Sequence, residues 1–414
     1  MGGVIAKLNS LIDYEKRGGY TKSLEPFLNP LEILGNPHLK LKNVIHIVGT
    51  KGKGSVSHIV SRGLINAGYR VGLFTSPHLV SPLERIKVNE IPISEGDLGK
   101  YVEKILSVEK RKGFQTYFEI LTASAIMYFL DVKTDFNVFE AGLGGRLDAT
   151  NVLNQDLVVI TRIDYDHMHI LGNTLEDICR EKAAVIKGKI PVITTKNNIP
   201  VMHVIEERAR EFGAEVIIAD WELVNADRYG IVVKVDGEYI SAPLLGEFQA
   251  ENLALAYKTL KVLGIEKIDF SKAFVPGRLH VISRNPYIIL DGAHNVISIS
   301  SLIQSLRKLF PEVKFNLVIS LSSDKEIEKI IKTIADTDYN LYITRYPFPR
   351  AKDVESLFKT AYKFGKVPKI LISIPDIISL FNEGDTVITG SFYLLGDVMS
   401  YLKILPLDGV KPHP

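Results

Sequence analysis

The chain has 414 residues, too many for one ordinary domain, and its 46% apolar and 24% charged residues are those of a globular protein with ample core. A formal charge of +2 argues for neither a nucleic-acid-binding nor a membrane-binding surface, and no run reaches the ~18 apolar residues that span a bilayer. One cysteine, Cys179, leaves no internal disulfide and fits a reducing cytoplasm, and residues 1–11 lack the apolar run of a signal peptide.

Along the chain, short β-rich runs alternate with helical patterns. Val44–Val48, 71–75, 137–141 and 157–163 read as buried strands, with helices over 55–67, Tyr117–Asp131 and 174–187. This alternation predicts an α/β fold with a mostly parallel sheet. Near residues 228–244 the pattern changes to a hairpin turning at Asp236-Gly237, a small antiparallel addition. A helix over 249–263 closes the first domain, expected over residues 1–275. The Val275-Pro276-Gly277-Arg278 break opens a linker expected over 276–284. A smaller, Rossmann-like α/β domain follows over 285–414. Its strands are Tyr287–Leu290, 315–320, 341–344, 369–374 and Thr386–Thr389; its helices cover 299–310, 326–334, 354–364 and a last segment to about residue 402. It has no Gly-x-Gly-x-x-Gly turn, hence no dinucleotide site of that kind.

Five motifs carry chemistry. Gly49-Thr50-Lys51-Gly52-Lys53-Gly54-Ser55 lies between a strand and a helix, where glycines let backbone N–H groups face a phosphate and Lys53 supplies a point charge. The usual P-loop has Ser or Thr directly after its lysine, but here Gly54 intervenes; the alternative is a Gly-rich turn capped by Ser55. Thr75-Ser76-Pro77-His78-Leu79 follows the second strand and offers a hydroxyl metal ligand, or else is an ordinary Ser-Pro turn. Glu140 ends a buried strand, where a carboxylate is costly unless paired or bound to a cation. Asp166-His167 follows the next strand; Ser76, Glu140 and His167 together can hold Mg²⁺, although imidazole is an uncommon ligand for so hard a cation. Asp291-Gly292-Ala293-His294-Asn295 ends a strand of the second domain, where Asp291, His294 and the planar fork of Arg278 can meet phosphates, or form a polar turn. Lys182, in Arg180-Glu181-Lys182-Ala183, reads by itself as a helical lysine reaching solvent. Ser323-Asp324-Lys325 and Thr389-Gly390-Ser391-Phe392 read as loops.

In order, these motifs resemble those of the folylpolyglutamate synthase and dihydrofolate synthase family of Mur-type amide ligases. Gly142-Leu-Gly-Gly-Arg-Leu-Asp-Ala-Thr-Asn151 is the most specific of them. The resemblance implies a cytoplasmic, monomeric ligase. It also implies that MgATP phosphorylates the carboxylate of dihydropteroate or a reduced folate and that L-glutamate's amine attacks the acyl phosphate. By the same resemblance, Gly49, Thr50, Gly52, Lys53, Gly54 and Ser55 hold phosphates. Ser76, Glu140 and His167 bind a first Mg²⁺, and Lys182, as a carbamate, serves a second. Gln249 and Asn252 meet the adenine, while Arg278, Asp291 and His294 complete the ATP site; Lys53, Lys182, Asp291 and His294 are the expected catalytic groups. Lys51 stands where the family pattern has Asn, adding a charge beside the phosphates. About forty residues precede Gly49, too few for the UDP-sugar-binding domain of cell-wall Mur ligases. A P-loop hydrolase or switch, a Mur-type ligase for another carboxylate, and a non-catalytic relative are the alternatives. Retention of Lys53, Glu140 and Lys182 counts against the last.

Overall fold

The computed structural model describes residues 3–11, 23–108, 116–323, 326–345 and 351–404; Asp324 and Lys325 lie outside the described residues. Runs such as Val-Ile-His-Ile-Val, apolar on both faces, become strands covered on both sides. These are β1 (Val44–Val48), β2 (Val71–Phe74), β3 (Ile86–Val88), β4 (Ile91–Pro92), β5 (Phe136–Glu140), β6 (Leu157–Ile160), β7 (Pro191–Thr194) and β8 (Glu215–Ile218). They form one eight-stranded sheet in the order β4-β3-β2-β5-β1-β6-β7-β8. β2, β5, β1, β6, β7 and β8 pair parallel in that order, while at one edge β3 pairs antiparallel with β2 and β4 antiparallel with β3. Because β1 lies between β5 and β6, the loops after these three strands open at one edge, where ligands collect in open α/β sheets.

Helix Lys53–Asn66 follows β1 and packs on helix Gln249–Val262. Gly63 makes this close approach possible, since a Cβ there would press on Leu260 and Phe270. Helix Tyr117–Asp131 starts at a Thr116–Glu119 capping box and buries almost every side chain of its first three turns. Helix Leu175–Ala183 is shorter than the expected 174–187. Arg146 N–H donates to the Glu181 carbonyl at 2.7 Å, so a loop occupies the end of the helix.

The expected hairpin is part of a separate three-stranded sheet of β9 (Trp221–Asp227), β10 (Gly230–Val235) and β11 (Glu238–Ala242). Asp236 and Gly237, both at positive φ, make the β10–β11 turn. The chain divides into two compact units: Met1–Val224, Val232–Ala242 and Gln249–Ala273, and then Asn225–Ile231, Pro243–Phe248 and Phe274–Pro414.

The second unit holds a six-stranded sheet of β12 (His280–Arg284), β13 (Tyr287–Leu290), β14 (Asn316–Ile319), β15 (Asn340–Thr344), β16 (Lys369–Leu371) and β17 (Thr386–Thr389), in the order β12-β13-β17-β14-β15-β16. Residues 280–284, expected as the end of the linker, form β12 and pair antiparallel with β13. The strand expected over 369–374 stops at Leu371. Ser373 and Asp376 form a capping box that starts helix Ile374–Ser379 instead. Among the described residues no helix is long and apolar enough to cross a membrane.

Candidate active site

β1 delivers the chain to Gly49, which sits at φ 146° in the left-handed half of backbone space, as does Gly52 at 88°. Thr50 N–H (2.9 Å) and Lys51 N–H (3.1 Å) both donate to the Arg162 carbonyl, fixing the loop to the chain leaving β6. Helix Lys53–Asn66 begins directly afterwards. Its N-cap is Gly52, which brings no side-chain cap, so the N–H groups of Lys53, Gly54 and Ser55 start a helix with no side-chain acceptor of their own. Two ammonium groups converge on this loop: Lys53 Nζ lies 3.1 Å and Lys182 Nζ 2.8 Å from the Gly49 carbonyl.

Glu140 ends β5 beside this helix start and is buried. A Cβ on Gly54 would sit 3.5 Å from both its carboxylate oxygens, so the carboxylate lies against the positive end of the helix. Ser76 N–H donates to Glu140 Oε2 at 3.1 Å, bringing the loop after β2 to the same place. His167 follows β6 at φ 48°, exposed, with Nε2 3.7 Å from Asp166 Oδ1. Ser76, Glu140 and the phosphate loop are thus brought together, while His167 stands on the loop after β6 beside Asp166 and His169.

Lys182 is buried, not solvated as a helical lysine by itself suggests. Burial pushes its ammonium down to about 7; Lys53 adds to this, and Asp166 and Asp148 oppose it. Its place is set by the loop over 142–151. A Cβ on Gly145 would come within 2.7–2.9 Å of the backbone of Glu181 and Lys182, and Arg146 pairs with Glu181 at 2.8 Å. Asp148 pins the loop by accepting from Leu143 N–H at 2.9 Å and from Thr150 N–H at 3.0 Å. The Thr150 hydroxyl donates to Asp148 Oδ1 at 2.5 Å, so at its 2.8 Å contact with His46 Nε2 it can only accept, and His46 carries its proton on Nε2.

Burial, helped by Lys187, pushes His46 down to about 3, so it is neutral in the folded protein. The unfolded chain takes up that proton at about 6.5, so His46 lowers stability progressively as pH falls from there towards its folded value. We expect wild type to lose about 2 kcal/mol more than His46→Gln between pH 7.5 and 5, measured by urea unfolding. Equal losses would show that His46 is protonated in the fold.

At the start of helix Gln249–Val262, Asn252 Nδ2 donates to Gln249 Oε1 at 2.8 Å, both buried. A Cβ on Gly52 would collide with Asn252 Oδ1, so this pair borders the phosphate loop. Arg278, Asp291 and His294 belong to the second unit. There Asp291 accepts from Leu279 and Ala293 N–H, both at 2.8 Å, and burial raises its carboxyl while Arg278 opposes that. His294 Nδ1 lies 2.8 Å from the Gly292 carbonyl and must carry the proton, since a carbonyl only accepts. The Arg278 guanidinium stacks 4.7 Å over the Phe392 ring, which gives the Thr389–Phe392 loop a partner.

Two features escaped the reading of motifs. Burial works to raise the Asp166 carboxyl, but the charges of His167, Lys51, Lys53 and Lys182 outweigh it and hold it below the usual carboxylate range. Its position directly before His167 was the available signal. Arg162 forms a two-point ion pair with Glu251, with contacts of 2.5 and 3.2 Å, for which no local pattern exists.

Comparison with known proteins adds to this geometry. Residues 47–260 match the model of the Mur ligase middle domain, and residues 277–391 that of the Mur ligase, glutamate ligase domain. The dihydrofolate synthase/folylpolyglutamate synthase of Bacillus subtilis (strain 168) is 35% identical over 89% of this chain and 92% of its own. The crystal structure of folylpolyglutamate synthase from Thermotoga maritima superimposes with a TM-score of 0.85, at 33% identity, over 97% of this chain and 96% of that one. A complex of FPGS with AMPPCP and folate gives 0.80 at 28% identity, over 96% and 98%.

Proposed function

The chain belongs to the Mur-type ligase family of folylpolyglutamate and dihydrofolate synthases, and from that premise we propose that it joins L-glutamate to the carboxylate of dihydropteroate or a reduced folate. ATP supplies the phosphoryl group. A carboxylate oxygen attacks the γ-phosphorus and ADP leaves. The glutamate nitrogen then attacks the acyl phosphate, loses a proton, and expels inorganic phosphate from the tetrahedral species to leave the amide. One observation carries this reading: Lys53 and Lys182 converge on the Gly49 carbonyl at an uncapped helix start, with the buried Glu140 carboxylate beside it. Lys53 and the N–H groups from Gly52 to Ser55 cradle the phosphates. Gln249 and Asn252 border the base, and Arg278, Asp291 and His294 are assigned to nucleotide contacts as well. Residues 1–275 carry most of the nucleotide contacts, and the residues from β12 onward belong to the glutamate-ligase part.

The donors at Glu140 suit Mg²⁺. The buried Glu140 carboxylate, which accepts Ser76 N–H and so lies against the loop that carries the Ser76 hydroxyl, is the core of a hard oxygen set. Such a set leaves positions for water and phosphate oxygens, as this cation prefers. Ser76, Glu140 and His167 would hold one ion and a carbamate on Lys182 a second. Bound there, Mg²⁺ would neutralise charge developing on the transferred phosphoryl group. Glu140→Gln is expected to raise the Mg²⁺ needed for half-maximal ADP release by about tenfold or more, read by metal titration. An unchanged requirement would remove Glu140 from the ligand set.

We assign the enzyme to the cytoplasm, in keeping with a single, buried cysteine, and by its family resemblance treat it as a monomer. The direct test is ADP release with MgATP, L-glutamate and either dihydropteroate or tetrahydrofolate, followed by mass spectrometry. Gain of one glutamyl unit on dihydropteroate alone makes it a dihydrofolate synthase, on the folate alone a polyglutamylating enzyme, and on both a bifunctional one. No ligation to any pterin would leave an amide ligase for another carboxylate.

A further inference from the structure

The phosphate loop is held from two sides, and both holds lead to one ion pair. On one side the Arg162 carbonyl accepts Thr50 and Lys51 N–H at 2.9 and 3.1 Å, a bridge that removes these two donors from the set available to phosphates. On the other side Asn252 Oδ1 fills the space where Gly52 lacks a Cβ. Arg162 and Glu251, the residue before Asn252, are locked together: Nη2 meets Oε1 at 2.5 Å and Nε meets Oε2 at 3.2 Å. Glu251 Oε1 also accepts the Thr195 hydroxyl at 2.6 Å, and Thr195 is buried at the end of β7.

A two-point guanidinium–carboxylate contact fixes direction as well as distance, which a single-point contact does not. The Arg162 side chain is 41% exposed, so its charge is partly screened by water and the pair adds little to overall stability. Its geometry nevertheless sets two anchors: the carbonyl that orients Thr50 and Lys51, and the helix turn that presents Asn252 to Gly52.

We infer that the Arg162–Glu251 pair is a positioning device for the phosphate loop, setting nucleotide affinity from residues that do not themselves touch the nucleotide. This rests on the assignment of the Gly49–Ser55 loop to ATP. It implies that the phosphate-facing amides begin at Gly52. Loss of the fork lets Arg162 and the first turn of helix Gln249–Val262 move apart, so the loop must be ordered again each time a nucleotide binds.

The test is a double-mutant cycle with Arg162→Gln, Glu251→Gln and the combined variant. It is read by ADP calorimetry, by the split between KM for ATP and kcat, and by thermal unfolding. Each single variant is expected to raise the ADP Kd and the ATP KM about tenfold with kcat within about twofold, and the combined variant to be no worse than either single one. Arg162→Lys, which keeps the charge without the fork, falls between wild type and Arg162→Gln, and it carries the test if the glutamine variants do not fold. Unchanged ADP affinity with a lowered Tm would reduce the pair to a structural contact. Additive losses would make the two residues independent contacts. Both results overturn the inference. Wild type that binds no ADP would overturn the nucleotide-site assignment as well.

Discussion

Replacing Lys182 with methionine is expected to lower kcat by about a thousandfold while leaving a folded protein that is slightly more stable at pH 7. The two effects have one cause. Burial brings the ammonium down to about 7, whereas the unfolded chain holds that proton up to about 10.4. The unfolded state therefore binds more protons between these values, and the lysine costs stability at neutral pH, a cost that shrinks as pH rises. Methionine removes the cost but leaves the Gly49 carbonyl without the 2.8 Å bond, which offsets part of the gain. A net gain of about 1 kcal/mol corresponds to a Tm rise of about 2–4 °C for a unit of this size.

The functional loss follows from the same proton. Near pH 7 about half of the Lys182 amines are neutral and able to attack CO₂, whereas a lysine at about 10.4 offers almost none. The nitrogen bonds to carbon and releases a proton, turning a cation into an anionic oxygen ligand. Wild type should therefore lose activity in CO₂-stripped buffer and regain it with bicarbonate, faster as pH rises through 7. The intact mass should show one added CO₂. A methionine variant as active as wild type would remove Lys182 from the chemistry. A CO₂-independent wild type would keep the lysine as a simple cation and discard the carbamate.

Gly52→Ala is expected to weaken ADP binding by at least about a hundredfold, while Gly68→Ala, at a similar backbone angle, leaves it unchanged. Both glycines lie in the left-handed region, φ 88° and 98°, where a side chain costs about 1–2 kcal/mol. They differ in space. A Cβ on Gly68 meets nothing within 4 Å, whereas on Gly52 it collides with Asn252 Oδ1, itself held by Gln249. Either Asn252 leaves its partner or the loop shifts, and the amides that start helix Lys53–Asn66 move with it. Calorimetry with ADP, beside thermal unfolding, separates the two costs: both variants lose stability, and only Gly52→Ala loses the ligand. Equal ADP affinity in the two variants would mean that the loop tolerates displacement at Gly52.

The glycine loop between β1 and its helix was legible because its causes are local: a β-branched run, residues that allow positive φ, and a periodic helix. The departures also have local reasons, but ones that a hydrophobic pattern hides. Ile372 extends an apolar run, so residues 369–374 read as one strand, yet Ser373 and Asp376 satisfy helix-start amides and turn the chain. The reading of residues 280–284 as linker missed that β13 offers them an open edge.

The chain itself determined the alternation of strands and helices, the two α/β parts and the position of the phosphate loop, because backbone propensity and apolar periodicity act over a few residues. Only the tertiary structure decided that β5 and β6 flank β1, which brings Glu140 and the Arg162 carbonyl to the loop. It also decided that Lys182, 133 residues beyond Gly49, loses its water and meets that carbonyl. Desolvation and ion pairing depend on which distant groups surround a charge, and the local pattern Arg-Glu-Lys-Ala carries no trace of them.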